Sequence, residues 1–163
     1  MASERITKTT RLSKRGNERG IVKSRQRRVP EIVSFTAYLS QRIDHMGVGH
    51  HVVFDKILTN DGAGYNSNTG IFTVPDTGLY LFTYSVNDHF DRSMLQLVVD
   101  GSNLVDIIVD PDSSTEEAMS GNTAIIHVSQ GQSVWIQEYH IHDGSIWSDN
   151  TGRYCKFSGG LLY

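Results

Sequence analysis

The stretch Gly78-Leu79-Tyr80-Leu81-Phe82-Thr83-Tyr84 decides how this chain folds. Successive side chains of an extended strand point to opposite faces, so Tyr80, Phe82 and Tyr84 share one face and Leu79 and Leu81 the other. A strand with large apolar groups on both faces needs cover on both. A second sheet supplies one cover, and a neighbouring subunit is a candidate for the other. Pro75-Asp76-Thr77 ahead of it is turn chemistry, and Gly78 follows where a side chain would obstruct the turn or be forced to a positive φ.

Outward from this strand the same period continues. Val33, Phe35, Ala37 and Leu39 alternate with Ser34, Thr36, Tyr38 and Ser40, the pattern of a half-buried strand. Further strands are predicted at 52–54, 70–74, 94–100, 104–109, 124–129, 133–139 and 154–162. Turn sequences such as Asn60-Asp61-Gly62, Asn68-Thr69-Gly70, Asp100-Gly101 and Gln130-Gly131 separate them. No segment carries a sustained helical apolar period with caps, and residues 113–121 read as a polar loop, with one weak turn of helix as the alternative. Short strands between Gly/Asn/Asp turns predict an all-β sandwich, jelly roll or barrel.

The eight positions Phe54, Asn60, Tyr65, Phe72, Gly78, Tyr80, Phe82 and Tyr84 resemble, at matching spacings, the signature of the C1q globular-head domain. Val33-Ser34-Phe35-Thr36-Ala37 is similar to the family's opening strand, Gly131 to Ile136 to its Gly-Asp-x-Val-Trp strand, and Phe157 to Leu162 to its closing strand. One departure is Gly160 in place of the closing aromatic, which predicts looser packing near the end of the last strand. The resemblance covers residues 33–163. It implies an all-β, ten-stranded jelly-roll sandwich of the C1q/TNF type, with Phe35, Phe54, Phe72, Tyr80, Phe82, Tyr84, Trp135 and Phe157 in the core or at a trimer interface. Trp135, inside an apolar strand, is expected in the core. No Gly-X-Y repeat precedes the head, so the likeness is to stalkless invertebrate members.

The resemblance also implies a function. Such heads assemble as trimers and recognise partners outside the cell, so the expectation is a homotrimer binding microbial polysaccharide or other glycoconjugates. The alternative within the family is a cerebellin- or TNF-like ligand for a cell-surface receptor. A third reading is an intracellular interaction module, because Met1 to Lys8 lacks the apolar segment of a secretory signal.

Charge divides the chain. Residues 1–30 hold ten Lys/Arg and two Glu, a net +8; residues 31–163 hold five Lys/Arg and sixteen Asp/Glu, a net −11. The first part has few apolar residues and no period, which predicts a flexible basic arm ahead of one domain. Arg25-Gln26-Arg27-Arg28 fits a furin-type cleavage pattern, and a chance match within an arginine-rich run is the alternative. Clustered cations neutralise phosphates. The arm has no aromatic ring to stack on bases, so nucleic acid is not the expected partner. No apolar run is long enough to span a membrane. The single cysteine, Cys155, reads as a buried thiol.

Three segments carry candidate sites. In the loop 142–152, Trp147 stands among Asp149, Asn150 and serines, an arrangement that can stack a sugar ring and take its hydroxyls; a Trp folded back on the core is the alternative. His140 and His142, at a predicted strand end, are a possible ligand or Zn²⁺ pair without an evident third ligand, and His50-His51 is read in the same way. The acidic run 106–117 suits Ca²⁺, a hard cation taking oxygen ligands. Asp110 and Glu117 are its candidate ligands by the resemblance, against the reading of a solvated acidic loop. No nucleophile elbow, phosphate-binding glycine loop or His-Glu-x-x-His is present, so catalysis is not expected.

Overall fold

The computed structural model describes residues 32–88, 91–112 and 116–163. The basic arm and the Arg28 cleavage pattern lie outside them. The described residues contain strands and no helix: β1 Ser34–Tyr38, β2 Ile43–Met46, β3 Lys56–Asp61, β4 Tyr65–Asn66, β5 Ile71–Thr73, β6 Gly78–Asp88, β7 Ser93–Val99, β8 Ser102–Val109, β9 Ala118–Val128, β10 Ser133–Glu138, β11 Gly144–Ile146 and β12 Lys156–Leu161. Ten of them make two five-stranded sheets, in the orders β3-β1-β12-β6-β9 and β4-β5-β10-β7-β8. The remaining two, β2 and β11, pair as a small ribbon. This is the jelly-roll sandwich that the resemblance implies, with a two-stranded addition.

Alternation places the core. Tyr80, Phe82 and Tyr84 are 0%, 0% and 1% exposed, and Phe54, Phe72 and Phe157 are fully buried with Phe35 beside them. The Phe35 ring stacks on Tyr65 and Phe72 at 5.0 and 4.6 Å and meets Phe157 edge-on at 4.8 Å. Aromatic pairs at such distances add to the burial of their area. The buried hydroxyls find backbone acceptors: Tyr65 donates to the Phe54 carbonyl at 3.1 Å and Tyr84 to that of Val105 at 2.9 Å.

Several expectations are corrected. Trp135 is not core: in β10 it is Val134 and Ile136 that point inward, at 0% exposure each, and the two-residue period turns Trp135 and Gln137 outward. Gly78 is not held at a positive φ. It is required by close approach, because a Cβ there would lie 2.6 Å from the Tyr163 carbonyl oxygen. Gly160 does not loosen the core either, since it lies on the outer face of β12; Gly159 points inward, where a Cβ would meet Phe82 at 2.6 Å and Phe35 at 2.7 Å.

The strand list changes too. Residues 52–54 lie outside any named strand; β3 follows them as an edge strand. The second half of the predicted 113–121 loop is strand, because β9 begins at Ala118 and pairs with β6 along all of Gly78–Asp88.

Candidate functional site

The open face of the first sheet is built in rows of register partners. One row runs Ser34, Gly160, Leu81, Ile125; the next Thr36, Ser158, Thr83, Thr123; the next Tyr38, Lys156, Ser85, Gly121. Leu79, a neighbour of Leu81 on this face, is half-buried, and Ile125 and Met119 are 56% and 58% exposed. The Thr83 and Thr123 hydroxyls bond each other at 3.1 Å. The result at this end is an apolar strip of Leu79, Leu81 and Ile125, flattened by Gly160. This is the face of β6 that the single chain leaves partly uncovered. The rings of Tyr80, Phe82 and Tyr84 point away from it into the sandwich, so they are core.

At the far end of the same face the segment 147–154 folds over the sheet. The Ser85 hydroxyl donates to the Tyr154 carbonyl at 2.9 Å. The Trp147 and Tyr154 rings lie 5.6 Å apart, Trp147 half-buried and Tyr154 exposed. Asp149 shapes the turn: its Oδ1 accepts from the Thr151 N–H and hydroxyl at 2.6 and 2.7 Å and also from the Gly152 N–H. These bonds hold its carboxyl below the usual carboxylate range. Asp149 thus builds the loop, with one oxygen fully engaged. Asn150 is exposed, and its Oδ1 stands 3.5 Å from the Tyr38 hydroxyl. Arg153 lies over the Tyr38 ring, its guanidinium carbon 4.5 Å from the centroid. Trp147, Asp149 and Asn150 share this loop but face different partners: Tyr154, the turn backbone and Tyr38 respectively. Tyr38 and Arg153 join them through the β1–β12 pairing, a long-range contact that no local pattern announces.

His140 and His142 belong to a different segment. β10 ends at Glu138, so both histidines are exposed in the connection to β11 and not at a strand end. That connection is held from beneath: the buried Glu138 carboxylate accepts the N–H groups of Tyr139, His140 and Ile141 at 3.1, 3.2 and 3.0 Å and that of Met94 at 3.0 Å. Asp143 in the same connection pairs with His45 Nδ1 at 2.7 Å. His51 stacks on Trp135 at 5.0 Å on the outer face of the second sheet, and burial there lowers its pKa.

Asp110 lies 3.6 Å from Arg92 Nε, and Glu117 is exposed just before β9. Among the described residues no three His, Cys, Asp or Glu side chains gather as a metal site. Ser113 to Thr115, between the two candidates, lie outside the described residues.

Comparison with known proteins matches this geometry. The C1q-domain family profile fits residues 34–162. Human complement C1q tumor necrosis factor-related protein 2 is 30% identical over 69% of this chain and 39% of its own. Its mouse namesake gives 30% over 69% and 37%. The chain thus spans about two fifths of the length of these curated relatives. Among solved structures, the globular domain of the zebrafish complement 1qA protein superposes with a TM-score of 0.65 at 20% identity, covering 80% of this chain and 98% of that one.

Proposed function

The chain belongs to the C1q-domain family, and on that premise we propose that it is a binding module, not an enzyme, that works as a homotrimer on microbial or other glycan surfaces. The observation that carries the reading is the apolar strip on the open face of the first sheet, where exposed Ile125 stands beside half-buried Leu79 and Leu81. Exposed apolar surface of this kind is a mark of association. A second copy of the chain covers it, and threefold closure brings three 147–154 loops to one assembly. Weak sites presented together gain avidity without new contacts. Trp147 and Tyr154 offer a pyranose a stacking surface, and Asn150 offers hydrogen bonds. The setting is extracellular, in keeping with the family; no helix of the described residues is long and apolar enough to cross a membrane.

Light scattering tests the assembly: the full chain is expected at the mass of three chains and Leu81→Glu at that of one. A glycan array tests the ligand, with Trp147→Ala expected to lose the signal. A monomeric wild type, or a trimer that binds no glycan, overturns the reading.

The tumour-necrosis-factor wording of the human relative's name favours a second reading. In it the trimer is a ligand for a protein receptor, released by cleavage after Arg28. Cell-surface binding that survives glycosidase treatment and is lost with Arg28→Ala would select it.

A further inference from the structure

Residues 31–163 carry only five Lys/Arg against sixteen Asp/Glu, yet three of the five cations flank one residue, Tyr38. Tyr38 is the register partner of Lys56 in β3 and of Lys156 in β12, so both lysines stand beside it on the open sheet face. The third cation is Arg153, over the Tyr38 ring. Its Nε donates to the Asn150 carbonyl at 3.1 Å, and its terminal amino groups have no partner among the described residues.

Counter-charge is scarce here. Lys56 Nζ has Asp55 Oδ2 at 3.4 Å, but that carboxylate already accepts the Ser40 hydroxyl at 2.6 Å, and its other oxygen accepts the Ser40 N–H at 2.8 Å. Arg153 and Lys156 form no ion pair among the described residues. Like charges held together raise each other's energy. In a domain of opposite net charge, such a gathering has a local reason. A guanidinium held over an aromatic ring is pre-oriented, and its open N–H groups match the paired oxygens of a carboxylate or sulfate. The same loop holds Trp147 and Tyr154, which suit the sugar bearing that group and not a bare anion.

We infer that Lys56, Arg153 and Lys156 around Tyr38 form a subsite for the carboxylate or sulfate of an acidic polysaccharide. The inference rests on the recognition reading above and gives its substrate class. Four residues of strand separate the row of Tyr38, Lys156 and Ser85 from that of Ser34, Gly160 and Leu81, about 13 Å at the usual rise. The patch therefore sits beyond the apolar strip, and a trimer formed on the strip carries three patches.

The test measures binding of the full chain to immobilised polygalacturonate, dextran sulfate, neutral dextran and phosphatidylserine vesicles. Both acidic polysaccharides are expected to bind and neutral dextran to bind far more weakly. R153Q/K156Q is expected to bind about tenfold more weakly, the loss of one or two charge-assisted hydrogen bonds, with unchanged circular dichroism and assembly mass. K156Q alone, at an exposed position, should give a smaller loss in the same direction, which keeps the test open if Arg153 is needed for folding. R25Q/R27Q/R28Q should retain binding, which separates the patch from the basic arm. The inference is overturned if the patch variants bind as the wild type does, if only the arm variant loses binding, if neutral dextran binds equally, or if the vesicles are preferred. In those cases a bound polysaccharide leaves the recognition reading standing; no binding to any polysaccharide removes both.

Discussion

Asn60 closes on the backbone of Tyr65 from both sides: its Nδ2 donates to the Tyr65 carbonyl at 2.9 Å and its Oδ1 accepts the Tyr65 N–H at 3.0 Å. The clasp spans a turn in which Gly62 and Ala63 both have positive φ, at 79° and 51°. It thereby fixes the entry of Tyr65 into the aromatic core against Phe35.

Two part-buried hydrogen bonds of this kind are each worth about 1 kcal/mol. Asn60→Ala is therefore expected to lower unfolding stability by about 2 kcal/mol, read from the urea midpoint at unchanged slope. Asn60→Asp keeps the acceptor and loses the donor, and should fall between the two. A midpoint unmoved by Asn60→Ala would show that the clasp is not what holds the turn.

The two glycines of β12 should differ sharply. A Cβ at Gly159 would sit 2.6 Å from Phe82 and 2.7 Å from Phe35, closer than real contacts allow, so Gly159→Ala overpacks the core. Overpacking of this sort costs about 1–3 kcal/mol. At Gly160 the nearest atom is the Val33 carbonyl oxygen at 3.4 Å, so Gly160→Ala should stay within about 0.5 kcal/mol. Thermal melts of both variants check this, and equal losses would contradict the assignment of faces.

Much of this was legible in the sequence, for a physical reason. Strands covered on one face write their burial as alternation, so the shared faces of Phe35 with Ala37 and of Tyr80 with Phe82 were legible, while Phe72 and Phe157 were implied by the family resemblance. Trp135 was misread because apolar flanks suggested a core run, whereas a strict two-residue period from Val134 and Ile136 turns it outward. The first half of β9 left no signal, since Met119, Gly121 and Thr123 face out and Ser120 and Asn122 are only half-buried. Tyr154 was read into the last strand, which begins only at Lys156, but the grouping of Trp147, Asp149 and Asn150 in one loop was legible because they are close in sequence. Tyr38 with Arg153 was not, because their meeting depends on the β1–β12 register.

Cys155 should be unreactive in the folded chain. Its thiol is buried, donates to the Trp147 carbonyl at 3.2 Å and accepts the Asn87 N–H at 3.3 Å. Burial pushes its pKa up to about 12, so almost no thiolate exists near neutrality. Ellman's reagent at pH about 8 should find no thiol until denaturant is added, and then one per chain. Rapid labelling without denaturant would place the thiol at the surface.

His45 and Asp143 tie β2 to the connection that carries His140 and His142. The Asp143 hydrogen bond, with its charge, raises the His45 pKa above the ordinary value of 6.5. A raised folded-state pKa means that the contribution is complete below the unfolded pKa and disappears as pH rises through the folded one. The imidazole proton resonance of His45 should thus titrate above 6.5, and Asp143→Asn should bring it back. A wild-type midpoint at or below the ordinary value would mean that the pair does not form in solution.

Glu138 carries a heavy polar load for a fully buried residue. It is 0% exposed, and its Oε1 alone accepts three consecutive N–H groups, those of Tyr139, His140 and Ile141. The Met94 N–H reaches Oε2 at 3.0 Å and links the loop to β7. Glu138→Ala leaves these donors without their acceptor, and at about 1–3 kcal/mol for each buried group the loss should exceed about 3 kcal/mol. Glu138→Gln retains one acceptor oxygen but turns the other into a donor facing an N–H, so it should be milder yet still destabilising. Amide exchange separates a local role from a global one. In Glu138→Gln the amides of residues 139–141 should exchange faster, while those of Tyr80 and Phe82 in the core strand keep their protection. Uniform acceleration across both sets would mean that Glu138 supports the whole sandwich and not this connection in particular.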